Sequence, residues 1–279
     1  MSASGRGRGA HPGVYALLIL ASAVAVFPLL WALGTSLKTS PEILAVPPRW
    51  IPRRIVFDHY AVVLQASNIA RYFLNTALVT GASIVVTVFI ACHAGYGAVR
   101  FRFPGRDLIL FALLATAMIP GIALLAPLYA LSSRFGVYDS LLGLVLVYSA
   151  WQVPTTVWLM RGFVESVPRE IEESALIDGC SPLQVFYRVV LPLIRPGLAA
   201  AAIIVFVQVW NDFLIATALT ISEGMRMLQV GLFRYISDVG IEWGRLMAYT
   251  MLSLAPILVA FVFLQRRFIQ GLVSGATKG

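Results

Sequence analysis

Six runs of apolar residues, at 14–36, 72–99, 108–131, 141–160, 197–219 and 246–264, restrict what this chain can fold into. Each is close to the roughly 20 residues that a helix needs to cross the hydrocarbon of a bilayer. Backbone groups in lipid must be satisfied within the segment, so the runs read as helices and not as strands of an open sheet. Charged residues make up 12% of the chain, about half the roughly 25% of a soluble domain. The expectation is an all-α, polytopic membrane protein with about six transmembrane helices and no soluble domain large enough to fold alone.

The net charge of +8 does not point to nucleic acid, because the basic residues are scattered over loops and tails without a continuous stripe. Topology explains them better, since Lys and Arg collect on the cytoplasmic side. With the N-terminal tail inside, that side carries twelve Lys and Arg residues against nine on the other. The short loop holding Arg100, Arg102 and Arg106 weighs most. Both termini are therefore expected in the cytoplasm, although Arg49, Arg53 and Arg54 in the first external loop argue mildly against it. The first run is longer than the h-region of a signal peptide and reads as an uncleaved span. Residues 1–13 form a cytoplasmic tail, 14–267 the membrane domain and 268–279 a second cytoplasmic tail, which composition alone would make flexible. Cys92 and Cys180 show neither CxxC nor Cys/His spacing, so no metal site is expected, and His93 reads as a lone intramembrane polar residue.

The polar loop at about 161–195 carries the densest local signals. Ser166 is a candidate N-cap with Pro168 in the first turn, and Glu170, Glu172 and Glu173 follow near the positive end of the helix dipole. Ile171, Ala175 and Leu176 fit one apolar stripe. Gly179 is a natural stop. Ser181, Pro182 and Gln184 then form a capping-box pattern, and Leu183, Phe186, Tyr187 and Val190 fall on one helical face until Pro192 breaks it and Pro196 opens the next span. The pattern predicts a helix, a tight glycine turn and a second amphipathic helix. Physics alone leaves two readings open, a docking surface for a partner and a hairpin that only links two spans.

The spacing of Glu173, Asp178, Gly179, Phe186, Pro192 and Pro196 resembles the EAA loop of permease subunits of ABC importers, with Ser174 and Cys180 standing where that family usually has alanine. Asn75-Thr76, the stretch 95–106, Ile119-Pro120, Pro127-Leu128-Tyr129, Trp210-Asn211-Asp212-Phe213 and the end 265–279 are similar to the carbohydrate branch, and within it to the smaller permease of the maltose-type importer. The resemblance implies a type I ABC importer permease fold with a cytoplasmic coupling helix in the cell membrane. It further implies a second, paralogous permease, two ATP-binding ATPase subunits and an extracytoplasmic sugar-binding protein. ATP and Mg would be bound by the ATPase partners. The chain itself would be no enzyme and hold no cofactor, in keeping with the lack of a GxxxxGK[ST] loop.

On that resemblance Glu173, Ser174, Ala175, Leu176, Asp178 and Gly179 are the expected contact with the ATPase, held by Ser181, Phe186, Pro192 and Pro196. Gly275 and Lys278 in the C-terminal tail are expected to reach the ATPase as well. Trp210, Asn211 and Asp212 lie in the fifth run, where an ionisable group is a functional hypothesis by default. They are candidates for a wall of the translocation path, for pairing with the partner permease, or for a structural bond to backbone. Trp151, Trp158 and Trp210 are candidates to stack on a sugar or to anchor at the interface. The rival from another class is an ion-coupled secondary transporter, for which only His93 and Asp212 lie well inside the runs.

Overall fold

The computed structural model describes residues 12–66, 68–238 and 240–276, and side chains up to residue 262 with the exception of 66 and 260. In chain order the helices are α1 (Pro12–Ser36), α2 (Ser40–Ile43), α3 (Asp58–Ala66), α4 (Ile69–Arg100), α5 (Arg106–Ala117), α6 (Gly121–Arg134), α7 (Leu141–Glu165), α8 (Arg169–Ile177), α9 (Pro182–Val185), α10 (Leu191–Leu193), α11 (Arg195–Asn211), α12 (Leu214–Leu219), α13 (Leu228–Gly231) and α14 (Trp243–Ala276). Two strands of two residues each, β1 (Ile236–Ser237) and β2 (Gly240–Ile241), pair antiparallel in the loop before α14. They are the one departure from the all-α expectation among the described residues, and they lie outside every apolar run, where water can satisfy their edges.

Two compact units separate. One comprises the described residues up to 66 together with 232–252. In it α1 is exposed at every residue from 12 to 31, as suits a helix that is apolar all round and faces lipid. Beyond α1 the proline-rich stretch is held by polar bonds. The buried Lys38 donates to the Arg49 carbonyl oxygen at 2.5 Å, and the Arg53 N–H donates to Glu42 Oε1 at 2.8 Å.

The other unit, residues 68–231 with 253–276, carries the candidate site. Its centre is α4 packed on α7. Thr76, Thr80, Ser83, Thr87 and Ala91 are all buried on one face of α4, and such small residues let two backbones approach closely in a membrane. Gly95 marks the tightest point. A Cβ there would lie 3.0 Å from the Arg161 backbone nitrogen, whereas one on Gly81 would meet nothing within 4 Å. Gly95→Val is therefore expected to cost about 1–3 kcal/mol by overpacking. Gly81→Val serves as the control, and thermal unfolding in detergent checks the pair; equal melting of the two variants would refute the close approach. One apolar cluster gathers Cys92, Val157, Met160, Val164, Val185, Phe186 and Val190, and a second gathers Val79, Leu144, Val205, Val209, Ile215 and Met227. At the start of α4, Asn75 Nδ2 donates to the carbonyl oxygens of Gly224 and Arg226, both at 2.9 Å, and Thr76 Oγ1 accepts from the Leu228 N–H at 2.8 Å, which pins the loop before α13.

The third and fifth apolar runs are not single straight helices. The third breaks at Met118–Pro120, and α5 and α6 meet at a bend of 102°. Proline has no N–H to continue the ladder, and it pushes the residue before it out of the α region. The fifth breaks after Asn211, before the short α12. The last run extends further than expected, because α14 continues helical through Ala276 and absorbs most of the segment read as a tail. Among the described residues, three helices are long and apolar enough to cross a membrane, or up to five if each bent pair counts as one span. The apolar part of α14 with described side chains, Trp243–Val259, is shorter.

A short clamp closes the α6–α7 turn. Asp139, at φ 52°, accepts from the backbone N–H groups of Ile221 and Ser222 at 2.9 and 3.0 Å and from the Ser222 hydroxyl. Partial desolvation pushes its carboxyl pKa up, but the Ser222 hydroxyl and the two backbone donors outweigh it and hold the pKa below the usual value. A depressed carboxylate stabilises the fold above its unfolded pKa of about 3.9 and loses that contribution as pH falls through the lower, folded value. Protection of the Ile221 and Ser222 amides, measured as the exchange rate relative to that of the free peptide at the same pH, is thus expected to be high at pH 5 and to fall in stronger acid. In Asp139→Ala the protection should be low throughout, and protection equal to wild type at pH 5 would contradict the clamp.

Candidate coupling site

The segment between α7 and α11 is a helical hairpin, and local chemistry sets both of its turns. α8 ends in a Schellman arrangement. Gly179, at φ 88°, donates its N–H to the Leu176 carbonyl at 3.0 Å, and Cys180 donates to the Ala175 carbonyl at 3.0 Å. Ala175 and Cys180, which this motif brings together, both pack on the first apolar cluster. At the start of α9 the capping box is complete. Ser181 Oγ accepts from the Gln184 N–H at 3.3 Å, and Gln184 Oε1 accepts from the Ser181 N–H at 2.9 Å.

Several finer expectations are corrected. Ser166 does not cap α8; it closes α7 and donates its hydroxyl to the Phe163 carbonyl at 2.7 Å, while Pro168 takes the N-cap position. The inward face of α8 is not Ile171, Ala175 and Leu176. Ile171 and Leu176 are exposed, and the buried positions are Glu172 with part of Ala175. The second helix is turned likewise, with Val185, Phe186 and Val190 buried and Leu183 and Tyr187 exposed. Pro192 does not end it. Residues Phe186–Val190 form a π turn that takes up one extra residue, α10 follows, and the chain bends by 74° at Ile194. Pro196 sits in the first turn of α11 as expected.

The rotation of α8 has an electrostatic cause that sequence reasoning missed. Arg100, the last residue of α4, donates through Nε to Glu172 Oε1 at 2.6 Å, with a second contact from its terminal nitrogen at 2.5 Å. The same guanidinium donates to the carbonyl oxygens of Val164 and Val167 at 3.1 and 2.8 Å. Tyr96 donates its hydroxyl to Glu172 Oε2 at 3.0 Å. Both charged side chains are about nine-tenths buried. An isolated charge would be very costly there, so each depends on the other. The Tyr96 ring also meets Phe186 with ring centres 4.7 Å apart, and His93 Nε2 lies 2.7 Å from the Tyr187 hydroxyl. Both legs of the hairpin are thereby fastened to α4. Arg100 looked like a topology marker and Glu172 like a dipole partner; nothing in either local pattern announced the pair.

What remains free is the tip. Glu173, Ser174, Leu176, Asp178 and Gly179 are exposed and Ala175 is half-buried. Ile177, which the sequence reading did not single out, is 86% exposed, and Leu176 is 45% exposed. Two aliphatic side chains beside two carboxylates, on a hairpin braced from behind, form a compact amphipathic knob. Among the described residues no group of three or more His, Cys, Asp or Glu is placed to hold a metal ion.

The intramembrane trio is divided by the structure. Trp210 is buried; its indole N–H donates to the Ser253 carbonyl at 3.2 Å and its ring stacks on Phe206. Asn211 is exposed and donates to the Val207 carbonyl at 2.9 Å. Asp212 Oδ1 accepts from the Tyr148 hydroxyl at 2.7 Å and from the N–H groups of Ile215 and Ala216 at 3.0 and 3.2 Å. That is a helix cap for α12, so of the three readings offered for Asp212 the geometry displays the structural bond. Asp212→Ala is expected to lower stability by about 0.5–2 kcal/mol and Asp212→Asn, which keeps the acceptor, by less. Thermal unfolding of both variants checks this, and the opposite order would show that the charge matters more than the cap. Gly275 lies within α14, its contacts beyond the described side chains, and Lys278 lies outside the described residues.

Comparison with known proteins agrees with this architecture. Residues 83–273 match the family model described as binding-protein-dependent transport system inner membrane component. The chain is 36% identical over 265 residues to the diacetylchitobiose uptake system permease protein NgcG of Streptomyces coelicolor, with 94% of this chain and 87% of the relative covered. It is 32% identical to the trehalose transport system permease protein SugB of Mycobacterium tuberculosis, with 91% and 93% covered. Among solved structures, a chain of a bacterial ABC transporter involved in the import of the acidic polysaccharide alginate superposes with a TM-score of 0.80 at 23% identity, covering 91% of this chain and 94% of that one. The chain belongs to the family of binding-protein-dependent transport system inner membrane components and has the fold of a type I ABC importer permease.

Proposed function

We propose that this chain is the transmembrane permease subunit of an ATP-driven importer for a sugar, forming half of the translocation path and receiving its drive through the hairpin tip. The observation that carries the proposal is the tip itself, with Leu176 and Ile177 exposed next to Glu173 and Asp178 on a hairpin clamped to α4 by a buried ion pair. An exposed apolar pair on a rigid mount suits a partner groove better than a mere link between spans. The sugar class follows from relatives named for diacetylchitobiose and trehalose. The partners are two ATPase subunits that bind ATP and Mg, a second and paralogous permease, and an extracytoplasmic binding protein. Both termini lie in the cytoplasm, and Gly275 and Lys278 are further contacts with the ATPase. The exposed Asn211 is the member of the intramembrane trio free to face the path.

Ion coupling has less to draw on. Asp212 Oδ1 is engaged by three donors, and His93 is held between the Phe89 carbonyl and the Tyr187 hydroxyl. Affinity purification from mild detergent with the neighbouring genes co-expressed, followed by an ATPase assay, tests the proposal. An ATPase that co-purifies with wild type and is lost when Leu176 and Ile177 become aspartate supports it. A chain that purifies alone, with transport indifferent to ATP, refutes it.

A further inference from the structure

Three arginines from separate parts of the chain line one cavity of about 500 Å³ beside the end of α4. Arg102 comes from the loop after α4, Arg106 opens α5 and Arg169 opens α8. Arg169 is drawn in by its own bond, its guanidinium donating to the Val99 carbonyl at 3.3 Å, 70 residues back along the chain. Topology accounts for arginines in this loop but does not require them to share one space. Arg106 is paired at 2.9 Å with Asp107, the one carboxylate at the cavity wall among the described residues. Arg102 and Arg169 have no ion-pair partner among the described residues. Three guanidiniums against one carboxylate leave the wall net positive. Like charges around a shared space repel, and an anion between them replaces that repulsion with charge-assisted hydrogen bonds.

The surroundings say which anion. No side chain caps α5, whose N-cap is Gly105 at φ 81°, and the positive end of a helix favours a negative group. Leu108 lines the cavity and shares a helical face with Phe111; both are more than half exposed, at the start of the third apolar run. A positive seat therefore opens directly onto an apolar helix face. A soluble phosphate would use only the seat, whereas a phospholipid uses both, its phosphate among the arginines and its acyl chains along α5. A zwitterionic headgroup would bring a cation of its own against the guanidiniums, so the fit is to a headgroup of net negative charge. An acidic surface of an ATPase fits less well. Arg169 and Ile177 are the two ends of α8, roughly 12 Å apart at about 1.5 Å per residue, which puts the cavity at the root of the hairpin and away from its tip.

We infer that this cavity is a site for an anionic phospholipid, with Arg102 and Arg169 bonding the phosphate and the exposed face of α5 carrying the chains. Because Arg169 opens α8, the bound headgroup ties the root of the hairpin to the membrane surface. The site involves neither the sugar nor the hairpin tip, so it stands or falls separately from the permease reading.

The test titrates the full chain, purified in a neutral detergent with the subunits it retains, and reads bound lipid by native mass spectrometry. The probes are phosphatidylglycerol, phosphatidylcholine with the same acyl chains, and glycerol phosphate as the free headgroup. Wild type is expected to bind phosphatidylglycerol at least about tenfold more tightly than phosphatidylcholine. Arg102→Gln and Arg169→Gln, both at exposed positions, are each expected to weaken phosphatidylglycerol about fivefold, and together about twenty-five-fold, with thermal unfolding unchanged. Arg188→Gln removes the same charge from an exposed position outside the cavity and should leave the affinity as it is. Equal affinity for the two lipids overturns the inference, and so does an Arg188→Gln loss as large as that of Arg102→Gln, which would mean diffuse attraction. Glycerol phosphate displacing the lipid at equal concentration overturns it in favour of a free phosphate. Unchanged lipid binding in the double variant overturns it too, and an ATPase lost from that variant would mark the cavity as a protein contact instead.

Discussion

Replacing Gly179 by proline is expected to abolish ATP-driven uptake while the chain still inserts in the membrane. Gly179 holds φ at 88° and donates its N–H to Leu176. Proline lacks that N–H, and its ring fixes φ at about −65°, so the turn between α8 and α9 cannot form as it is. The tip residues Leu176, Ile177 and Asp178 would be re-aimed, whereas α4 and α7 make their contacts elsewhere. Gly179→Ala should be milder, since a Cβ at positive φ costs about 1–2 kcal/mol and meets no neighbour within 4 Å. The measurement is uptake per ATP hydrolysed, alongside the amount of chain in the membrane. Full uptake in the proline variant would count against the tip as the coupling contact.

The second large effect sets two adjacent glutamates against each other. Glu172→Ala is expected to destabilise the protein by about 3–5 kcal/mol, because it leaves Arg100 buried without its counter-charge. Arg100→Ala should cost a similar amount and in addition strip the carbonyls of Val164 and Val167 of their donor. Glu173→Ala, one residue along and exposed, should change stability by less than about 0.5 kcal/mol yet weaken retention of the ATPase. Replacing Arg100 and Glu172 together by leucine should recover much of the lost stability, since a buried pair is often replaced by apolar side chains at little cost. Thermal unfolding in detergent, with ATPase retention measured on the same samples, reads all four. Equal melting of the Glu172 and Glu173 variants would show that the ion pair does not brace the hairpin.

Much of the hairpin was legible because its signals are local. A glycine after an amphipathic stretch, and Ser181 three residues before Gln184, act through bonds that span only a few residues, so their outcome hardly depends on the rest of the fold. The same holds for Pro196 at the start of α11. The expected faces of α8 and α9 failed for the complementary reason. Spacing shows that a helix has a stripe but does not fix its absolute rotation when a polar residue competes for the inward position. Glu172 won that position because its partner, 72 residues away in sequence, supplies a cation. Ile177 escaped notice because an apolar residue beside a polar tip looks like core until its exposure is known.

The chain's amino-acid order by itself determined that it lives in a membrane as helices, where its polar hairpin begins, turns and resumes, and which family it resembles. Those follow from hydrophobic run length, from capping chemistry and from residue spacing, all properties of short segments. Only the tertiary structure decided that Glu172 points inward while Glu173 stays exposed, and that Asp212 caps a helix with help from Tyr148. Each of these depends on a group brought in from another helix, and a buried charge takes its role from whichever partner the fold places within hydrogen-bond reach.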